Sequence, residues 1–211
     1  VTSAGLMAAE HPLLGAATAL ADSDGYLFTG RLSPRDTSWL SDHAVFGSTL
    51  FPGVGLLELA LAAARTLGGT SVSELTIAAP LVVPEREAVR VQVAVKAADL
   101  EGVRELAIYS RPEDADGDVA WVEHATGTLA FDDEAGSEEH VDLRNWPPAG
   151  SSPIDLDGFY PKLHEAGLEY GPAFQGLSEA YAMEGGVCGR VVLPESLSKE
   201  AEEYGIHPAL F

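Results

Sequence analysis

The clearest pattern in the chain is a two-residue alternation across Ala88–Ala97. Val89, Val91, Val93 and Val95 fall on one face, and Arg90, Gln92 and Lys96 on the other. Such a strand has one buried and one wet side, the habit of an antiparallel sheet. Tyr26–Ser33 alternates behind the turn sequence DSDG, and Val72–Val83, Arg104–Arg111 and Trp121–Phe131 also read as strands. A different period runs from Pro52 to Leu67. Its only strongly polar side chains, Glu58 and Arg65, share a narrow face, so the predicted helix is apolar in nearly every direction and buried almost all round. Pro52 suits the first helical position, Phe51 would then hold the N-cap, and Gly68–Gly69 is a stop. One buried helix followed by several one-sided strands predicts an α+β fold in which a sheet wraps around a central helix.

The pattern then breaks. An acidic tract from Asp132 leads into a linker over residues 141–153 that carries NWPPAGSSP. Beyond it the grammar restarts, with a helix over Leu156–Ala166, a loop GLEYGPAFQGL, strands around Ser178–Met183 and Val187–Leu193, and a short helix opening SKEAEEYGIHPALF. The expected organisation is a helix-plus-sheet unit over residues 1–140 and the start of a second over 154–211, with too few strands to close its own sheet.

Composition narrows the function. Of 211 residues 46% are hydrophobic, enough for a substantial core, and 12 basic residues face 33 acidic ones for a formal charge of −21. Phosphate backbones are bound by clustered Lys and Arg, so nucleic acid is not expected as a partner. A single cysteine, Cys188, permits no internal disulfide and fits a reducing cytoplasm as well as any other place; in its strand pattern it reads as buried and inert. The longest apolar run, broken by Glu58 and Arg65, is too short for a membrane span, and the first twenty residues lack the basic start of a signal peptide. A start on Val1 points to a piece of a longer polypeptide. His11, His124, His140, His164 and His207 show no metal-ligand spacing, so no metal is expected. There is no G-x-S-x-G, and GGVCGR does not open a helix after a strand, which removes support for a serine thioesterase or a nucleotide site.

Candidate chemistry gathers around SDHAVFGSTLFPGVG. His43 precedes the buried helix; four residues on stands Gly47, where the chain can turn or approach a ligand, and five further stands Pro52. Two glycines in the first helical turn each cost about 1 kcal/mol relative to alanine, which suggests that something needs access to that backbone. The N–H groups of Gly53, Val54 and Gly55 have no capping side chain at Phe51, although Ser48 or Thr49 could fold back to supply one. Left free, they could hold a carbonyl oxygen as it gains negative charge, aided by the helix dipole. A neutral histidine beside such a site can remove a proton α to a carbonyl. On residue types alone, a histidine before a buried helix is more often a satisfied structural group.

The spacing adds information. H-x-x-x-G-x-x-x-x-P at His43, Gly47 and Pro52 resembles the signature of the dehydratase domains of modular polyketide synthases. HPLLG at His11–Gly15 resembles their usual opening, YGPAFQGL at Tyr170–Leu177 their second signature, and YGIHPALF at Tyr204–Phe211 the approach to the third, all in the expected order through the whole chain. The resemblance implies a double hot-dog, two antiparallel sheets each wrapped around a helix. It implies dehydration of a β-hydroxyacyl thioester on an acyl carrier protein to the α,β-unsaturated thioester, with neighbouring domains such as a ketoreductase and a homodimer as its setting. His43 would take the α-proton, and Tyr170 would hydrogen-bond at the β-hydroxyl or its acid partner. Gly171 and Pro172 would shape the turn, Phe174 would pack the acyl tunnel, and Gly47, Pro52, Gly53 and Val54 would border the substrate. The phosphopantetheine arm would deliver that substrate, with no metal or soluble cofactor.

The chain departs from the family at its end. The family's second catalytic residue is an aspartate directly after H-P-A-L-[LF], and the sequence stops at Phe211, one position short. The acid that protonates the departing hydroxyl is therefore expected to lie outside the chain, and the chain as written is not expected to dehydrate. Two other readings remain at this stage. One is a hot-dog thioesterase or cyclising relative using the same base; the other is a non-catalytic double hot-dog kept as a scaffold.

Overall fold

The computed structural model describes residues 5–115, 118–131 and 144–210. The tract 132–143, with His140 and the start of the predicted linker, and Phe211 lie outside the described residues.

The predicted wrapped sheet has seven antiparallel strands. In spatial order these are β1 (Met7–His11), β2 (Leu14–Ala19), β3 (Tyr26–Leu32), β8 (Val89–Val95), β9 (Arg104–Pro112), β10 (Val122–Ala130) and β6 (Ser71–Ile77). Helix α1 (Gly53–Thr66) packs on β1, β6, β8 and β10. Leu56, Leu59, Ala60 and Ala63 of α1 meet Phe28, Leu32, Val91, Val93, Ile108 and Leu129 from the sheet in one buried cluster. The valine alternation therefore did set the buried face of β8, and each large apolar side chain so buried contributes roughly 1.5–3 kcal/mol.

Three expectations need correction. Val72–Val83 is not one strand: β6 ends at Ile77, and β7 (Leu81–Val82) belongs to another sheet. Pro80 cannot donate to a ladder, and the N–H groups of Ala78 and Ala79 both turn to the His124 carbonyl, which ends β6 there. Pro52 is the N-cap of α1 rather than its first residue, with ψ of 151°, and its carbonyl accepts the Gly55 and Leu56 N–H groups. The opening residues, given no elements by pattern, form the β1–β2 hairpin.

A small sheet joins the two halves of the chain. Its order is β12 (Leu168–Tyr170), β4 (His43–Val45), β5 (Ser48–Phe51) and β7. A third sheet comprises β11 (Ser152–Pro153), β13 (Leu177–Met183) and β14 (Gly186–Val191), beside α2 (Phe159–Glu165) and the short α3 (Ser198–Ala201). Cys188, expected to be buried, is half-buried on β14.

The described part of the predicted linker is docked rather than loose. Trp146 donates its indole N–H to Glu179 at 2.7 Å, packs edge-on against Tyr181, and lies under the Arg190 guanidinium, which itself pairs with Glu179 at 2.9 Å. Trp146→Ala removes the aromatic pair, worth about 0.5–1.5 kcal/mol. It is expected to speed limited proteolysis within residues 144–153 while cleavage elsewhere is unchanged.

Candidate active site

His43 opens β4, directly after a 3-10 turn over Ser38–Asp42. Its Nδ1 donates to the Leu50 carbonyl at 2.9 Å on the neighbouring strand β5, which leaves the lone pair on Nε2. The hairpin between β4 and β5 turns through only Phe46 and Gly47, whose φ values of 48° and 73° are both left-handed. That is the two-residue turn whose twist suits a hairpin, and a glycine at its second position carries the positive φ without strain. Nothing lies within 4 Å of where a Cβ at Gly47 would stand, so the turn accounts for this glycine rather than close approach to a neighbour. Phe46, at the other position, is tied down by its N–H bond to the Gly167 carbonyl at 2.8 Å.

The second signature lies directly against the first. In the register of β12 on β4, Tyr170 pairs with His43, and their rings stack at 5.3 Å and 20°. Pro172 starts a 3-10 turn over Pro172–Phe174 that carries the buried Phe174 ring to 4.9 Å from His43. The Tyr170 and Phe174 rings also touch each other, 6.1 Å apart, so the imidazole is one member of a three-ring cluster. Burial pushes its pKa below the ordinary 6.5, against the Leu50 hydrogen bond that favours the charged form, so it is neutral at pH 7. A neutral imidazole with Nδ1 fixed as donor presents Nε2 as a base.

Asp42 fastens this arrangement and was not singled out from sequence. Its carbonyl accepts the Gly171 N–H and its carboxylate Oδ2 accepts the Ala173 N–H, both at 2.8 Å. A Cβ on Gly171 would stand 2.4 Å from Asp42 Oδ1, so residue 171 is glycine for close approach. The signal was available: one acidic residue, adjacent to His43, in a stretch otherwise free of charged side chains from Thr37 to Leu57, His43 aside.

Beyond Leu50, β5 leads through Phe51 and Pro52 into α1. No side chain caps that helix. Pro52 takes the Gly55 N–H, so of the expected oxyanion donors Gly53 and Val54 remain, at the positive end of the dipole. Gly55 is explained by packing, because a Cβ there would stand 2.6 Å from the Phe51 ring.

Other predicted residues fall elsewhere. His164 is exposed on α2. His124 is buried, donates from Nδ1 to the Ala79 carbonyl at 3.2 Å and accepts the Ser110 hydroxyl at 2.8 Å, a structural clamp on the end of β6. Among the described residues no group of three or more His, Cys, Asp or Glu side chains could hold a metal ion, and no helix is long and apolar enough to cross a membrane. A hollow of about 410 Å³ lies on the outer face of the large sheet near Lys96, Tyr109 and Glu123 and contains none of the signature residues. A smaller one of about 180 Å³ borders Trp39, Asp42, Pro172 and Ala173.

The histidines make the fold sensitive to acid. Burial lowers the pKa values of His43, His124 and His207 below 6.5. Between 6.5 and those lower values the unfolded chain binds more protons than the folded one, so stability falls as pH drops through that window. Glu58 adds a second loss further down. Burial alone would raise its pKa from 4.5, but hydrogen bonds from His11, Gly205 and Ile206 with the Arg65 charge bring it below that, and its stabilisation disappears as pH falls through the lowered value. Urea midpoints measured at about pH 7.5 and about pH 5.5 are expected to be lower at the more acidic value; equal midpoints would contradict the assignment.

Known proteins match this arrangement in sequence and in shape. Residues 11–111 match the family model described as polyketide synthase dehydratase domain, and residues 138–211 that described as polyketide synthase dehydratase N-terminal domain. The chain is 49% identical over its full length to the pikromycin polyketide synthase component PikAII of Streptomyces venezuelae, of which it spans 6%. It superimposes with a TM-score of 0.92 and 43% identity on the dehydratase domain from the terminal module of the rifamycin polyketide synthase, covering 99% of this chain and 76% of that one. Two variants of the dehydratase from the CurK module of the curacin polyketide synthase match at 33% and 32% identity and TM-scores of 0.82 and 0.81, over 95% of this chain and 70% of theirs. One carries Asn for Asp, the other Phe for His, and both are described as inactive mutants. With its two signatures joined across one small sheet, its helix-wrapping antiparallel sheet and these matches along its length, the chain belongs to the dehydratase domains of polyketide synthases, which have the double hot-dog fold.

Proposed function

We propose that this chain carries the base half of a dehydratase that acts on a β-hydroxyacyl thioester borne by an acyl carrier protein. His43 Nε2 removes the α-proton, and the Gly53 and Val54 N–H groups hold the thioester oxygen as charge develops on it. The Cα–H electron pair forms the double bond as the Cβ–O bond breaks, and the hydroxyl leaves as water after taking a proton from an acid. Tyr170 hydrogen-bonds at that hydroxyl or at the acid, and Phe174 packs the acyl chain. The acid is the aspartate that the family places directly after the HPALF motif; the inactive Asp and His variants of the curacin synthase dehydratase support a two-residue mechanism of this kind. Solvent exchange returns the proton from His43 and resupplies the acid.

The observation that carries this reading is the fixed tautomer of His43, donor at Nδ1 to Leu50 and acceptor at Nε2, packed against Tyr170 and Phe174. The phosphopantetheine arm of the carrier brings the substrate, and no metal or diffusible cofactor takes part. A ketoreductase supplies the β-hydroxyl, and the working unit is a cytoplasmic homodimer within a larger synthase. A similar domain at 42% identity is described as a bifunctional dehydratase-cyclase, which keeps cyclisation as a second outcome.

The test is to incubate the full-length polypeptide with β-hydroxyacyl carrier proteins of several chain lengths and follow the carrier-bound acyl group by mass spectrometry. Loss of one water with the thioester intact is the expected result. A freed acid would indicate a thioesterase, cyclisation after water loss would add the second activity, and no change with a folded protein would indicate a scaffold.

A further inference from the structure

The middle of α1 carries a carboxylate that the proposed chemistry leaves unused. Glu58 is fully buried, at 0% exposure, on the helix that forms the centre of the first hot-dog. A carboxylate in such a place is costly unless its oxygens are paired and hydrogen-bonded, and the Glu58 oxygens are. Oε1 accepts the Gly205 N–H at 2.7 Å and the His11 Nε2–H at 3.2 Å, and Oε2 accepts the Ile206 N–H at 3.0 Å, with Arg65 Nη2 3.4 Å away. His11 Nδ1 accepts the Leu13 N–H, which fixes Nε2 as the donor. One side chain thus gathers the HPLLG opening and the YGIHPALF segment onto α1.

The second of these contacts reaches the site. Immediately after Ile206, the His207 ring packs edge-on against Trp39 at 5.6 Å and Tyr204 at 4.8 Å. Trp39 and Tyr204 both donate to Glu200 Oε1. Trp39 in turn lies on the 3-10 turn that ends at Asp42, the residue before His43. A continuous set of packed and hydrogen-bonded groups therefore runs from Glu58 through Gly205–His207 and Trp39 to the turn that presents the base.

We propose that Glu58 is a positioning residue, which sets the segment 204–210 on the first hot-dog and so fixes the group that follows HPALF relative to His43. This rests on the dehydratase reading, in which that group is the acid. Glu58→Gln is the direct variant. An amide offers one oxygen, and its NH₂ would face a backbone N–H, so at least one of the Gly205 and Ile206 bonds is lost. In the full-length polypeptide it is expected to lower kcat for water loss about 10²-fold, the cost of misplacing a reacting group by an ångström, with KM within about twofold because substrate contacts are untouched. Hydrogen exchange at Gly205 and Ile206 is expected to speed up while the β8 and β9 amides keep their protection. Glu58→Asp should recover part of kcat, and His11→Leu, which removes one donor and leaves both backbone bonds, should give a smaller loss in the same direction.

If the wild type fails to dehydrate, the dehydratase reading falls, and the exchange experiment still decides whether Glu58 holds the segment. If the wild type dehydrates while Glu58→Gln keeps full kcat, or shows no faster exchange at Gly205 and Ile206, the inference is overturned. Should Glu58→Gln unfold globally, His11→Leu decides: a folded variant with lowered kcat and unchanged KM supports the inference, and one with unchanged kcat overturns it.

Discussion

Replacing His43 with alanine is expected to lower the rate of water loss from a β-hydroxyacyl carrier protein by 10²–10⁴-fold, the usual worth of a positioned general base. The variant should remain folded, because the His43 ring is only half-buried and packs on Tyr170 and Phe174 from outside the apolar cluster around α1. Circular dichroism and the unfolding midpoint check that point. The pH dependence of the wild type gives a second readout. The base must be neutral to act, and burial holds the His43 pKa below 6.5. The acid limb of kcat/KM is therefore expected below pH 6.5, and activity should persist into mildly acidic solution. An alanine variant with wild-type rate would remove His43 from the chemistry, and an acid limb above 6.5 would contradict the environment described for it.

Gly171→Ala is expected to be nearly as damaging without touching a reacting group. The added Cβ would stand 2.4 Å from Asp42 Oδ1 and 2.5 Å from its Cγ, distances no packed pair of atoms tolerates. Either the carboxylate swings off the Ala173 N–H, or the chain at Gly171 lifts from the Asp42 carbonyl. In both cases Tyr170 and Phe174 shift against His43, and a displacement of about an ångström costs on the order of 10²-fold in rate. Overpacking should also cost about 1–3 kcal/mol of stability. Asp42→Ala alone leaves the Ala173 N–H without its acceptor, a loss of about 1–3 kcal/mol. Combined with Gly171→Ala it removes the two closest contacts and leaves only the 2.9 Å approach to the Cβ of residue 42, so the two losses should fall short of adding in a double-mutant cycle. Strict additivity would show that the two residues do not act on each other.

How much of this was legible in the sequence depends on the range of the forces involved. Val89, Val91, Val93 and Val95 declared their buried face because strand geometry repeats every two residues and burial follows it. The apolar surround of α1 was equally local. The place of Val72–Val83 was not, because β6 breaks where the carbonyl of His124, far along the chain, draws off two N–H groups. Pro52 was assigned one residue too far into the helix, a matter of whether its carbonyl or that of Phe51 begins the ladder. Gly47 was recognised as important while its role stayed open between turn and ligand contact; the paired left-handed φ values of Phe46 and Gly47 account for it as a turn.

For the proposed site, residue types and spacing pointed to His43, Tyr170 and Phe174, which stand in motifs whose order is written in the chain. Only the tertiary structure decided how they meet. The register of β12 on β4 sets Tyr170 opposite His43 across more than 120 positions of sequence, the Leu50 carbonyl selects the tautomer, and Asp42 and Glu58 acquire their roles from backbone N–H groups at Ala173, Gly205 and Ile206. Periodicity records which side of an element is buried, because that is a property of neighbouring residues. Hydrogen-bond partners distant in sequence leave no such record, since a backbone N–H is the same at almost every position until folding brings one of them to a waiting carboxylate.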